Sequence, residues 1–168
     1  MKLIKKGFHT CLLLILGLAL FSSCKDEYQE RFKKQQQADD TFIQEYLKAN
    51  NIQNAQRQAS GVYYIPLTPG NGTRVQKTSN LELHSIGRLL NYGSAKFEST
   101  YENGKTRDVK LGLNQMVKGL EEGLSLMQEG EKAKIIVPSG LGYGQAGNYT
   151  TIPGNAVLLY EIYLVDIK

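Results

Sequence analysis

A single helical stripe in a stretch otherwise patterned for strands, from Gly61 onward, limits this sequence to a small set of folds. Met116, Val117, Leu120, Leu124 and Met127 recur at helical spacing, Asn114 stands where a cap belongs, and Gly130 where a glycine ends a helix. Gly119 and Gly123 lie beside the stripe. Each lowers helix stability by about 1 kcal/mol relative to alanine, so the pair predicts a close approach to a neighbouring sheet. Strand patterns flank the stripe at Val62–Pro66, Leu81–Leu90, Lys96–Ser99, Arg107–Leu111, Lys132–Val137 and Ala156–Ile167. Pro69-Gly70-Asn71-Gly72 and Glu102-Asn103-Gly104 read as turns, and Pro138 to Asn155 as a glycine-rich loop. Strands around one helix predict an α+β fold with a mostly antiparallel sheet. Leu158, Tyr160, Ile162 and Leu164 supply an apolar face for the helix to cover.

The N-terminus carries an address. Lys2, Lys5 and Lys6 precede an apolar run from Cys11 to Phe21, then Ser22-Ser23-Cys24. A run this short falls well below the 20 or so residues that span a bilayer core, and the order is that of a secretory signal. Phe21-Ser22-Ser23-Cys24 resembles the lipobox of bacterial lipoproteins. That resemblance implies removal of residues 1–23 and lipidation of Cys24. Removing those residues takes three basic side chains and no acidic one, leaving a formal charge of +1, so no case for nucleic-acid binding survives. It also takes Cys11, and leaves His84 as the last histidine. No cysteine metal site or thiol chemistry is then expected, and no metal or cofactor.

Residues 25–37 are almost wholly polar and read as a tether or nascent helix. From Ala38 to Asn51, Phe42, Ile43, Tyr46 and Leu47 predict a short amphipathic helix that Asp39 or Asp40 could cap. Packing on the following domain is its expected role; a dimer contact and a membrane-surface contact are the alternatives. The organisation is therefore a signal over 1–23, a lipidated cysteine with tether and helix over 24–58, and a globular domain over 59–168.

Leu111-Gly112, the run Met116 to Leu124, Met127, Gly130, the run Lys132 to Ser139, Tyr143-Gly144, Ile152-Pro153 and Leu158 to Ile162 together resemble FKBP-type peptidyl-prolyl isomerases. The similarity can be followed from about Gly61 to Lys168. It implies a bent antiparallel sheet of five or six strands around one short helix, and a site that is an aromatic and aliphatic cup rather than a set of reactive groups. It places Phe97, Glu98, Val117 and Tyr143 in the catalytic site, with Met116, Leu120, Ile152, Tyr160, Ser85 and Arg107 lining the substrate.

Several of these positions depart from the family pattern. Glu98 stands for the usual aspartate, Ser85 for a tyrosine, Arg107 for a wall phenylalanine, Leu120 for a floor tryptophan and Tyr160 for a phenylalanine. Ser85 and Arg107 predict a shallower, wetter pocket and weak activity. The expected function is isomerisation of X-Pro bonds in unfolded or exported polypeptides at the cell envelope. The alternative is a catalytically weak FKBP-like lipoprotein acting as a chaperone or binding module. Strand alternation puts His84 on the face opposite Ser85, away from the cup. A monomer is expected. Lys25 in place of aspartate after the lipidated cysteine favours the outer membrane, and Lys25-Asp26-Glu27 resembles a surface-export signal.

Overall fold

The computed structural model describes residues 27–168. The signal, Cys24, Lys25 and Asp26 lie outside the described residues. The chain divides between Lys34 and Gln35 into two compact units. In the first, residues 27–34 are helical and open to solvent at Tyr28 and Phe32, with a surface ion pair between Glu27 and Arg31.

The second unit begins in helix, residues 35–49, here α1. Seven strands follow: β1 Gln56–Arg57, β2 Tyr63–Thr68, β3 Asn80–Leu89, β4 Ala95–Ser99, β5 Arg107–Lys110, β6 Lys132–Val137 and β7 Leu158–Ile167. A short helix, α2 Lys118–Leu124, lies between β5 and β6. The strands pair antiparallel in the order β1-β2-β6-β7-β3-β4, with β5 on the other end of β3's free edge. The expected antiparallel sheet around one helix is present; the two-residue β1 raises its strand number to seven.

The central strands are buried on both faces. On the concave face Leu120 and Leu124 of α2 meet Ala133, Ile135 and Val137 of β6 and Leu158, Tyr160, Ile162 and Leu164 of β7. On the outer face Ile43 and Leu47 of α1 meet Tyr63, Ile65, Ile136, Val157 and Leu159. The amphipathic helix therefore packs on the domain, and Ile43 is fully buried. Register shifts between Pro66 and Thr68, between Glu82 and Leu83, and between Gly87 and Arg88 bend the sheet around α2.

Three local expectations are corrected. Neither Asp39 nor Asp40 caps a helix, because the chain is already helical at both. Asn114 does not cap α2: it sits at φ 52° in the preceding turn, and Val117 is the N-cap residue, with no side-chain cap. Gly130 does not end α2, which stops at Leu124. Gly130 turns the chain at φ 80° and donates its N–H to the Leu164 carbonyl at 2.8 Å. The close approach read from Gly119 and Gly123 is present: Val137 and Ile135 side chains occupy the space their Cβ atoms would need.

Candidate active site

The site is built where a bulge in β4 meets the loop after β6. Gly87 pairs with Glu98, and Arg88 with Lys96, so Phe97 is an extra residue in the ladder. Two consecutive side chains then reach the concave face together. The Phe97 ring and the Glu98 side chain both lie in the space that a Cβ on Gly87 would fill. Across Gly87 from Glu98 stands Tyr160 of β7. Its ring meets Phe97 edge to face, with centroids 5.8 Å apart and an interplanar angle of 87°, the geometry that aromatic quadrupoles favour.

The floor and walls are apolar. Leu120, Ile152 and Tyr160 are buried, and Phe97, Met116 and Val117 are partly buried against the same core cluster. Ile152 is positioned by Asn148, whose Oδ1 accepts N–H bonds from Thr150, Thr151 and Ile152 at 3.1, 2.9 and 2.7 Å. Val117 is extended at φ −65° and ψ 146°, and its carbonyl accepts from the N–H groups of Leu120 and Glu121. Its own N–H has no backbone acceptor among the described residues.

A polar rim borders the cup. Buried Ser85 donates from Oγ to Glu98 Oε1 at 3.4 Å, and Arg107 Nη2 meets Glu98 Oε2 at 3.2 Å. The Arg107 side chain is 43% exposed, so it pairs along the rim rather than filling the cup. Tyr143 is 38% exposed. Burial, and next the Glu98 charge, raise its hydroxyl above the usual tyrosine value, with Arg107 opposing. Burial raises Tyr160 further, with Glu98 and Tyr143 adding and Arg107 opposing. Both phenols are therefore neutral at physiological pH and able to donate.

His84 lies on the other face, as alternation requires: its Nδ1 is 3.0 Å from Thr100 Oγ1, and its ring stacks on Tyr101 with centroids 4.4 Å apart. The residues not given a site role from the sequence are Gly87, Asn148 and Ser139, the last quoted only as the end of a family motif. Gly87 alone carried a sequence signal, a glycine inside a strand pattern.

An antiparallel sheet bent around one short helix, with aromatic and aliphatic side chains gathered between sheet and loop, is the architecture of a binding or isomerising domain. The family profile described as FKBP-type peptidyl-prolyl cis-trans isomerase matches residues 71–165. The chain belongs to that family. It is 29% identical over 149 residues to a probable FKBP-type peptidyl-prolyl cis-trans isomerase of Haemophilus influenzae, a match covering 89% of this chain and 59% of that protein. It is 34% identical over 108 residues to FK506-binding protein 1 of Dictyostelium discoideum, covering 64% of this chain and 99% of that one. Among solved structures, the N-terminal domain of FKBP42 from Arabidopsis thaliana superposes with a TM-score of 0.64 at 29% identity, over 68% of this chain and 91% of that domain. The chain thus spans about six tenths of the Haemophilus relative.

Proposed function

We propose that this protein isomerises X-Pro peptide bonds in unfolded or exported polypeptides, from a lipid anchor at Cys24 on the outer membrane. The observation that carries the reading is the packing of Phe97, Tyr160, Leu120 and Ile152 in one apolar cluster beside the polar groups Tyr143, Glu98 and Arg107. The planar X-Pro amide is held by charge separation between nitrogen and oxygen, and its rotation barrier is about 18–20 kcal/mol. Twisting the bond largely abolishes that separation. An apolar cup that excludes water therefore disfavours the planar amide more than the twisted one, and each 1.36 kcal/mol or so of difference is tenfold in rate. No reactive side chain has to take part.

The polar groups orient the substrate. The Val117 N–H meets a substrate carbonyl, and the neutral Tyr143 hydroxyl donates to the carbonyl on the proline side. Glu98, held between Ser85 and Arg107, fixes the rim. A protease-free isomerisation assay on a proline tetrapeptide tests this: the protein accelerates exchange, and Tyr143→Phe loses a large part of the effect. If the parent leaves the rate unchanged but suppresses aggregation of a proline-free client, the domain is a binding module, as its missing aromatic faces at Ser85 and Arg107 would allow. Metabolic labelling with palmitate tests the anchor. Label is expected on the parent and absent from Cys24→Ala; protease shaving of intact cells then separates surface from periplasmic display. A single monomeric mass by light scattering is expected.

A further inference from the structure

We propose that Asp39 is a positioning residue for Tyr143, so that α1, besides covering the sheet, holds the loop that carries the tyrosine of the site. The inference rests on the isomerase reading above. Asp39 lies inside α1 and is 3% exposed. A buried carboxylate persists only when donors surround it, and Asp39 has three. Its Oδ2 accepts from the Ser139 N–H at 2.8 Å and from the Ser139 hydroxyl at 2.6 Å, while Oδ1 accepts from Gln35 Nε2 at 2.7 Å.

Ser139 opens a one-turn 3-10 helix, Ser139–Leu141, and is 1% exposed. The residue in front of it, Pro138, supplies no side-chain cap. Asp39 fills that role from 100 residues away in sequence. The Ser139 carbonyl then accepts from Gly142 N–H at 3.0 Å and Gly144 N–H at 2.8 Å, the two neighbours of Tyr143. Gly144 in turn accepts from Asn155 N–H at 2.9 Å. The same turn is wedged by Leu141 against Gly119 of α2 and by Leu158 against Gly142. A continuous path thus runs from the α1 carboxylate through both backbone groups of Ser139 to the residues flanking Tyr143. The adjacent Asp40 takes no part: it accepts from Arg57 Nε at 2.7 Å and the Tyr63 hydroxyl at 2.8 Å, tying α1 to β1 and β2. It is a control of like chemistry on the same helix.

The test compares Asp39→Ala, Asp39→Asn, Ser139→Ala and Asp40→Ala in the full chain, each also in a Tyr143→Phe background. Amide hydrogen exchange of residues 142 and 144 is followed beside kcat/KM on a proline tetrapeptide. In Asp39→Ala, exchange at 142 and 144 rises and kcat/KM falls, each by roughly tenfold, within the range for residues sharing one hydrogen-bond network. Asp39→Asn restores both, because its amide oxygen still accepts from Ser139 once Gln35 turns to accept from its NH2. Ser139→Ala, which keeps the backbone bond, gives a smaller change, and Asp40→Ala leaves both readouts in place. In Tyr143→Phe, removing Asp39 has no further effect on kcat/KM. Equal acceleration of exchange in β3 and β7, unchanged exchange at 142 and 144, or an undiminished Asp39 effect without the Tyr143 hydroxyl would each overturn the proposal. A parent protein with no isomerase activity defeats the functional reading instead, and exchange at 142 and 144 still decides whether Asp39 holds the loop.

Discussion

At the residue scale, the site depends on two substitutions with opposite consequences. Gly87 has no side chain because Phe97 and Glu98 share the space above it. Gly87→Ala displaces one or both, and isomerisation should fall by at least tenfold while the strand pairing survives, which a rate measurement beside far-ultraviolet circular dichroism would show. Tyr160 is the reverse case. It is 3% exposed, and among the described residues its hydroxyl makes no direct side-chain hydrogen bond but is not among the buried polar atoms left unpaired, so it keeps contact with solvent. A hydroxyl that still reaches water carries little desolvation cost, but it leaves the floor less apolar than a phenylalanine would. Tyr160→Phe should therefore leave the midpoint of denaturant unfolding nearly unchanged, and it should raise activity if the floor works by being apolar. A fall in kcat/KM would instead give the hydroxyl a role in holding substrate.

At the element scale, the short helix and the sheet were legible because burial imposes period on sequence. Leu120 and Leu124 face β6 and β7, and the two glycines beside them announce how near the sheet comes. In Gly123→Ala, a helix-propensity gain of about 1 kcal/mol opposes a clash with the Ile135 side chain. Overpacking of this kind costs about 1–3 kcal/mol. Net destabilisation is expected, read as a lower Tm. Boundaries were less legible. Asparagine serves both as a helix cap and in left-handed turns, so Asn114 satisfied either reading until its φ of 52° decided. The bulge at Phe97 was hidden for another reason. A two-residue period cannot reveal one extra residue, and the wall position was visible through family resemblance alone. Asp39 and Asp40 looked like caps because the polar stretch before them has no apolar period to show that a stable helix is already under way. Their partners outside α1 lie in the loop after β6 and in β1 and β2, beyond the reach of any local pattern.

At the scale of the whole molecule, buried phenols and paired carboxylates define a pH range of stability. Burial first, then the hydrogen bond and charge of Glu131, raise Tyr64 well above its usual value. The folded state holds that proton more tightly than the unfolded chain does. Its contribution is complete below the ordinary tyrosine value of about 10 and is lost as pH rises above it. Asp40 works at the acid end. Burial raises it, but bonds from Arg57, Tyr63 and Gln44 outweigh burial and leave it lowered. That contribution is present above the ordinary carboxylate value and is lost as pH falls through the folded value. Urea unfolding midpoints should form a plateau that declines on both sides. Tyr64→Phe should flatten the alkaline decline, and Asp40→Asn the acid one.

The burial of β6 and β7 between two helices also orders events in time. Of the strands that α1 covers, β2 follows it closely, but β6, β7 and the loop it holds emerge about a hundred residues after it. β7, which carries both inner and outer contacts, is the last strand in sequence and lies between β6 and β3. Contacts of such long sequence separation form slowly, because loop closure precedes any gain from pairing. During synthesis, the early helix has only β2 to dock against. The chain stays open until its final strand arrives, and closes then as one cooperative step.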